Sequence, residues 1–189
     1  MQNFSNRFGF GAVFCAPKKL AIGGNGTSIY AMNTTPRRKD RTITRERAEE
    51  ILERGEYGFL SLVPDDGYPY GLPINYVKDG DRLYMHCAPE GKKIDCVKRN
   101  PNAAFCVVGN ADVRPRQFSL NYSSAMAFGK ISVCGEAEKI AALKLIAKRF
   151  CPQFESQADA YIAKSAGRTA VLRFDIEAVS GKAKDIPRE

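Results

Sequence analysis

The segment 83–101 constrains the fold most, because it places a strand, a glycine turn, a pair of lysines and a helix start in immediate succession. Residues 82–87 alternate in polarity, which predicts a strand. Ile94 and Val97 then recur at helical spacing, and the helix they predict ends before Pro101, which cannot continue it. A strand followed by a glycine turn and a helix start is an arrangement that suits an anion.

Lys92 and Lys93 fall in the first turn of this predicted helix. A helix N-terminus already carries partial positive charge, so it favours Asp or Glu over cations by a few tenths to roughly 1 kcal/mol each. A bound phosphate would remove the conflict, because the free backbone N–H groups, the two ammonium groups and the close approach allowed by Gly91 all favour it. The alternative is that both lysines are solvated surface charges.

The remaining patterns predict a small, mainly β domain with flanking helices, built as an antiparallel barrel. One helix is predicted at 44–55, and one or two more lie within 140–164. Gly129 and Gly135 indicate bulges of the kind that bend a sheet into a barrel, and residues 110–122 are predicted to be irregular. The predicted strands are 57–63, 70–77, 82–87, 102–109, 124–138 and 169–178.

Pro73 lies within the second predicted strand and has no N–H to give to a ladder, so we expect an edge or bulged strand. Such a strand leaves backbone groups free at Ile74, Asn75 and Tyr76, where a planar heteroaromatic ligand can lie against the sheet. The alternative is an ordinary exposed edge.

The single histidine and the six cysteines limit the possible chemistry. Zinc, Ser-His and Cys-His sites would all depend on the one imidazole of His86. The cysteines are dispersed without a CxxC pair, which predicts no metal site, no disulfide framework and a reducing, cytoplasmic setting. No apolar run is long enough to cross a bilayer.

The formal charge of +8 raises the question of a nucleic-acid partner. Residues 1–39 hold six basic residues and no acidic one, which leaves 23 basic against 21 acidic residues over 40–189. The body of the protein is therefore nearly neutral, and we expect neither a nucleic-acid partner nor a membrane partner.

Residues 1–33 are rich in small and polar residues and show no apolar periodicity. This composition predicts a disordered N-terminal extension in front of one domain that spans residues 34–189. Three interpretations of the extension stay open: an organelle transit segment, a tail, or residues upstream of a natural start at Met32.

Five fragments taken together resemble the pyridoxamine 5′-phosphate oxidase-like FMN-binding split barrels, and most of all the nitroimidazole-resistance, or Nim-type, flavoproteins. They occur in the family's order, and the likeness as a whole runs from about Pro36 to about Lys184. The resemblance implies a six-stranded antiparallel split β-barrel and a homodimer with FMN in the cleft between the subunits. The fragments are residues 70–76, 83–93, 100–101, 122–130 and 170–177.

The resemblance also implies the residues that bind the cofactor. The glycine turn and its lysine pair match the segment that holds the FMN phosphate, the strand at 74–76 matches the one along the flavin ring, and the segment 122–124 approaches the ring at or near the dimer interface. The implied cofactor-binding residues are Ile74, Asn75, Tyr76, His86, Ala88, Gly91, Lys92, Lys93, Tyr122, Ser123 and Ser124.

His86 has two interpretations. A lone histidine on a strand is more often structural than catalytic. Its place directly before the predicted phosphate loop and its match to the Nim-type pattern support a catalytic role, in which an imidazole with a reference pKa of about 6.5 donates a proton or a hydrogen bond to the substrate. Cys87 is expected on the opposite face of the strand as a buried thiol.

Two departures disfavour vitamin B6 oxidation. Ser123 and Ser124 stand where the true oxidases carry an Arg-Gln pair, and the chain contains no Trp. The resemblance implies instead an FMN-dependent oxidoreductase in which NAD(P)H or another donor reduces the flavin and a small electron-poor molecule, such as a nitroaromatic, accepts the electrons. The alternative is a non-catalytic flavin- or haem-binding protein of the same fold, with His86 as haem ligand.

Overall fold

The computed structural model describes residues 34, 36–185 and 187, and the predicted extension 1–33 lies outside them. Within this range seven strands form one antiparallel sheet flanked by four α-helices, which confirms the predicted fold class. The strands are β1 (Tyr57–Leu62), β2 (Tyr70–Asn75), β3 (Val77–Asp79), β4 (Arg82–Cys87), β5 (Asn102–Arg114), β6 (Ser119–Val133) and β7 (Ala170–Lys184). The helices are α1 (Arg45–Arg54), α2 (Lys92–Arg99), α3 (Glu136–Phe150) and α4 (Glu155–Ser165).

A single residue joins the two end strands of the sheet. Its strand order is β2-β1-β5-β6-β7-β4-β3, so β2 and β3 stand at opposite ends of the sheet. Only Tyr76 separates these two strands along the chain, and the sheet therefore has to curl until its ends meet. The single strand predicted at 70–77 becomes two, because the chain pairs with β1 up to Asn75 and with β4 from Val77 onward. For this reason the structure has seven strands where six were predicted.

The Tyr76 side chain anchors this corner. Its ring is almost fully buried and lies edge-on to Phe105, with the ring centroids 4.8 Å apart. Its hydroxyl donates a hydrogen bond to the backbone oxygen of Leu52, and burial raises the pKa of the phenol, so the group stays a protonated donor. Gly55, the last residue of the helix predicted at 44–55, caps the end of α1, and a Cβ there would lie 2.5 Å from the Tyr76 hydroxyl oxygen.

Helix α1 and the barrel interior form the main core. Thr44, the first residue of the helix predicted at 44–55, is the N-cap of α1 and accepts a hydrogen bond at 3.3 Å from the backbone amide three residues on. Ala48 and Leu52 of α1 are fully buried in that core. Helix α3 instead covers part of the outer face of the sheet, where Ile146 and Tyr84 belong to a second apolar cluster. Among the described residues, no helix has the length and apolar character needed to cross a membrane.

The long β5–β6 hairpin corrects two predictions and confirms a third. Residues 110–122, predicted to be irregular, continue both strands up to a short turn, because each strand supplies the other's hydrogen-bond partners. The strand register shifts at Gly129, which is the predicted bulge. Gly135, however, is the N-cap of α3, so β6 ends at Val133 and does not reach Glu138.

Gly129→Ala should destabilise the fold, because the added Cβ would lie 1.9 Å from the backbone oxygen of Asp175 across the bulge. We expect a loss of about 1–3 kcal/mol, as for other overpacked sites, in urea unfolding curves. Gly167→Ala is the control: a Cβ there meets no atom within 4 Å, and the unfolding free energy should change by less than about 0.5 kcal/mol. Equal stabilities of the two variants would contradict the close approach.

Candidate functional site

Strand β4 presents the only histidine of the chain on the outer face of the barrel. Leu83 and Met85 are fully buried in the interior, whereas His86 lies on the opposite face and is exposed. Cys87 is half-buried and packs against the interior, as its predicted position on the strand requires. The imidazole is therefore accessible to a ligand outside the barrel.

A cavity of about 600 Å³ lies against His86, beside helices α3 and α4. Its walls are mostly apolar and include Leu143, Phe150 and Ile162 from those helices. Asn75, at the end of β2, lines the same cavity. Its volume falls within the roughly 300–1,000 Å³ of small-molecule sites, which are typically apolar with a few placed polar groups. The cavity thus joins two predicted cofactor-binding residues to helices for which the sequence had indicated only a covering role.

The His86 imidazole is held toward its neutral form. Partial desolvation by the residues around the ring lowers its pKa first, and the nearby Lys93 ammonium lowers the pKa further by repelling a second positive charge. The side chain makes no hydrogen bond or ion pair to any other residue that the structure describes. A neutral imidazole offers one N–H and one lone pair, so His86 can donate a hydrogen bond or ligate, and carries no fixed charge.

The glycine turn after β4 has the geometry that the sequence predicted. Gly91 is the N-cap of α2 with φ of 100°, a left-handed value that favours glycine. Its carbonyl accepts hydrogen bonds from the amides of Ile94 and Asp95 at 2.9 and 3.2 Å. The first two helical amides, of Lys92 and Lys93, precede that bonded turn and remain available to an anion.

The two lysines of this turn differ in their partners. Lys92 forms an ion pair with Asp66 at 2.8 Å and lies 5.3 Å from the centre of the Tyr70 ring. Lys93 is half-buried and pairs with no carboxylate in the described part of the chain, and its charge acts on His86 and Cys87 instead. Lys93 is therefore the uncompensated cation of the predicted phosphate site.

The strand residues predicted to face a ring divide between the two sides of the sheet. Ile74 and Tyr76 direct their side chains into the core, so only their backbone groups can reach an outside ligand. Asn75 lies between them on the outer face and lines the cavity. Strand β2 pairs on one side only, which confirms the edge position indicated by Pro73. Ala88 is exposed directly after β4.

The predicted segment 122–124 and His86 belong to opposite ends of β7. His86 pairs with Val171, whereas Tyr122 pairs with Lys184, thirteen residues further along that strand and about 40 Å of strand away. The cofactor-binding role of this segment stays a prediction. No residue of this segment lines the cavity of its own chain.

Local contacts hold the same segment in place. The buried Ser123 hydroxyl donates a hydrogen bond to the side-chain oxygen of Asn110, and the Tyr122 hydroxyl accepts one from Arg41 at 3.4 Å. Ser124 lies on the outer face and pairs with Val108 of β5. Of the three residues, Ser123 thus has its side chain occupied inside the barrel, while its two neighbours face outward.

Five exposed apolar side chains form a continuous surface, called here the apolar face, which the sequence analysis did not find. Phe59 pairs with Pro73 on one side and Cys106 on the other, and Cys106 pairs with Met126. Phe59 and Tyr57 are 49% and 61% exposed, and two aromatics at alternate positions of one strand were the available signal. The apolar face consists of Tyr57, Phe59, Pro73, Val108 and Met126.

The apolar face separates two groups of predicted site residues. Tyr57 at its edge pairs with Asn75 of the cavity, and Val108 pairs with Ser124. Soluble monomers seldom leave a continuous apolar surface of this kind uncovered. The apolar face therefore lies between the two groups of predicted site residues.

Comparison with known proteins places these features in a family. The model of a family described as pyridoxamine 5′-phosphate oxidase matches residues 44–183, which include β1 to β6, the glycine turn and all of β7 but its last residue. An uncharacterized protein of Rhizobium meliloti is 34% identical over 74 residues, which cover 39% of this chain and 48% of that protein. The chain thus spans about half the length of this curated relative.

Two solved structures at 25% identity have the same fold. One, a protein of Bacteroides thetaiotaomicron named for 5-nitroimidazole antibiotic resistance, gives a TM-score of 0.63 and covers 76% of this chain and 90% of that chain. The other, an FAD and haem binding protein of Mycobacterium smegmatis, gives a TM-score of 0.67 and covers 77% of this chain and 74% of that chain.

Lys93→Gln should raise the pKa of His86 toward its ordinary value, because it removes the positive charge that opposes protonation. The chain has one histidine, so a single imidazole resonance in an NMR pH titration reports the change without ambiguity. Lys98→Gln, at the other end of α2, is the control and should leave the titration where it is. An unshifted resonance in Lys93→Gln would show that the ammonium does not act on the imidazole.

Proposed function

The chain belongs to the pyridoxamine 5′-phosphate oxidase family, and we propose that it binds a flavin, with FMN as the preferred form. The observation that carries the proposal is the Lys93 ammonium, which pairs with no carboxylate among the described residues and stands at the glycine turn that begins α2. A phosphate would neutralise that charge and accept hydrogen bonds from the first amides of the helix.

The residues along β2 fit the rest of such a cofactor. Tyr70 begins β2 beside Lys92 and packs toward the core, whereas Asn75 ends the strand on the outer face and lines the cavity. Five residues of strand separate the two by about 17 Å. The outward positions between them are Gly71, which has no side chain, and Pro73, which has no N–H. An elongated ligand with a phosphate at one end and a flat ring at the other can lie along this surface, with its ring near Asn75 and His86.

The activity we propose is that of an oxidoreductase. A bound flavin supplies two-electron transfer from a donor such as NAD(P)H to a small electron-poor molecule such as a nitroaromatic. The chain's own part is to hold the phosphate at Lys93, to orient the ring by backbone groups at 74–76 and by Asn75, and to offer the neutral His86 imidazole as a hydrogen-bond donor. Bleaching of the visible flavin absorbance by NAD(P)H, and its return on adding a nitroaromatic, tests this activity.

We propose that two copies of the chain assemble through the apolar face. Two copies of this face can pack against each other because both are apolar, and the contact would remove Phe59 and Met126 from water. The apolar face lies between Asn75 and Ser124, so a partner related by twofold symmetry would bring its segment 122–124 toward the cavity that one chain leaves without it. The dimer therefore completes the candidate site.

A second candidate function is haem binding. The observation that favours it is the position of the His86 imidazole, with a free lone pair, on a largely apolar cavity of about 600 Å³. A relative of the same fold is named for binding FAD and haem. The absorption spectrum of the purified protein separates the two candidates, since flavin bands support the first and a Soret band supports the second.

We also propose a reducing, cytoplasmic location. Five cysteines within the described residues are free, and Cys87, Cys96 and Cys106 are buried or half-buried as small apolar side chains. Thiols without partners are typical of reducing compartments.

Lys93→Ala should raise the dissociation constant for FMN by about tenfold or more, because a charge-assisted hydrogen bond contributes roughly 1.5–3 kcal/mol. Quenching of FMN fluorescence in a titration measures it. Lys92→Ala should have a smaller effect, since that ammonium already pairs with Asp66. Riboflavin has no phosphate and should bind the wild type and Lys93→Ala alike; equal losses for FMN and riboflavin would mean that Lys93 supports the loop and does not contact the phosphate.

Phe59→Lys should convert the proposed dimer into a folded monomer, because it places a charge at the centre of the apolar face. Sedimentation equilibrium gives the mass, and circular dichroism verifies the fold. Tyr68→Lys changes an exposed aromatic in the β1–β2 turn, outside the apolar face, and should leave the dimer intact. A monomeric wild-type protein would rule out this assembly.

A further inference from the structure

We propose that the cavity beside β4, α3 and α4 binds the second substrate, a flat and largely apolar molecule that carries one carboxylate, and that Arg168 anchors this carboxylate. The proposal that this molecule reacts by electron transfer rests on the flavin proposed above. The proposal that it binds in the cavity rests only on the side chains of this chain.

The shape and lining of the cavity favour a flat apolar molecule. Helices α3 and α4 and the short segment between them contribute the rings of Phe150, Phe154 and Tyr161. Aromatic rings stack on other flat rings with little loss of side-chain entropy, and they contribute large apolar contact areas. Half of Phe154 and more than half of Tyr161 are exposed, so surface remains there for a ligand to cover.

The charge of the cavity favours an anion. Arg168 is the only permanently charged side chain among the residues that line it, and no acidic side chain does so. The Arg168 guanidinium makes no hydrogen bond or ion pair to another residue within the described ranges. Arg168 is exposed and therefore lies at the rim of the cavity. There its planar guanidinium can donate two parallel hydrogen bonds to one carboxylate.

The polar groups of the cavity fall into two sets. The hydroxyls of Ser165 and Thr169 already donate to backbone oxygens, at 2.9 and 3.0 Å. The side chains whose nitrogen or oxygen atoms have no hydrogen-bond or ion-pair partner among the residues described are Asn75, His86, Gln157, Tyr161 and Arg168. A few unpaired polar groups around an apolar cavity are typical of a ligand site, because a ligand supplies the missing partners.

The position of the cavity makes its ligand a neighbour of the proposed flavin. Asn75 and His86 line the cavity and are also predicted cofactor-binding residues, and Asn75 lies on the strand predicted to run along the ring. A molecule anchored at Arg168 can extend along the aromatic wall toward these two side chains. The cavity would then hold the electron acceptor next to the cofactor.

The test compares 4-nitrobenzoate with its methyl ester, a neutral molecule of the same ring and nitro group. Isothermal titration calorimetry is run on the flavin-loaded protein and on the flavin-free protein. We expect the carboxylate to bind at least about tenfold more tightly than the ester, as one charge-assisted contact implies. Arg168→Gln should abolish this preference and leave the ester's affinity unchanged.

Two further variants control the result. Lys164→Gln removes a cation from the last turn of α4, outside the cavity, and should keep the preference. Ala158→Phe fills the cavity and should weaken both ligands. A preference that survives Arg168→Gln, or binding that survives Ala158→Phe, would overturn the proposal, and so would stoichiometric haem that excludes 4-nitrobenzoate from the cavity.

The visible flavin absorbance of the same samples keeps the two proposals apart. If the chain binds no flavin but shows the carboxylate preference through Arg168, the cavity assignment stands and the oxidoreductase proposal fails. If flavin is bound and the preference is absent, the flavin proposal stands and the anchor at Arg168 fails.

Discussion

The architecture depends on one short connection. Because only Tyr76 joins the two end strands of the sheet, the sheet has to curl until these ends lie together, and the residue at the corner has to be held firmly. Its buried ring against Phe105 and its hydrogen bond to Leu52 meet that requirement and connect the corner to α1. An ordinary hairpin between these strands would leave the two ends apart, and Asn75 and His86 would not line a common cavity.

A barrel of this size fills its interior with side chains, so any site has to lie outside it. The alternation of β4 buries Met85 and exposes His86, and the alternation of β2 does the same for Ile74 and Asn75. Helices α3 and α4 then supply walls that the sheet alone lacks. The candidate site is thus a consequence of which side chains remain for the outer face once the core has been filled.

The electrostatics of the glycine turn depend on one ion pair, which is formed by Lys92 and not by its neighbour Lys93. Lys92 and Lys93 have the same side chain, yet Asp66 of the β1–β2 turn compensates only Lys92. The charge of Lys93 is free to bind an anion. When no anion is bound, that charge lowers the pKa of His86. An anion at the turn would therefore change the protonation of the imidazole as well, which links the two ends of the proposed cofactor site.

Local rules were sufficient for the elements of the fold and part of the site. Strand alternation, the glycine at position 91 and the proline at position 73 act within a few residues, and these predictions agree with the structure. The division of the strand at 70–77, the continuation of the hairpin through 110–122, the partner of Lys92 and the cavity beside α3 and α4 were decided only by tertiary structure. Each of them depends on contacts between residues far apart in the chain, and no local pattern carries that information.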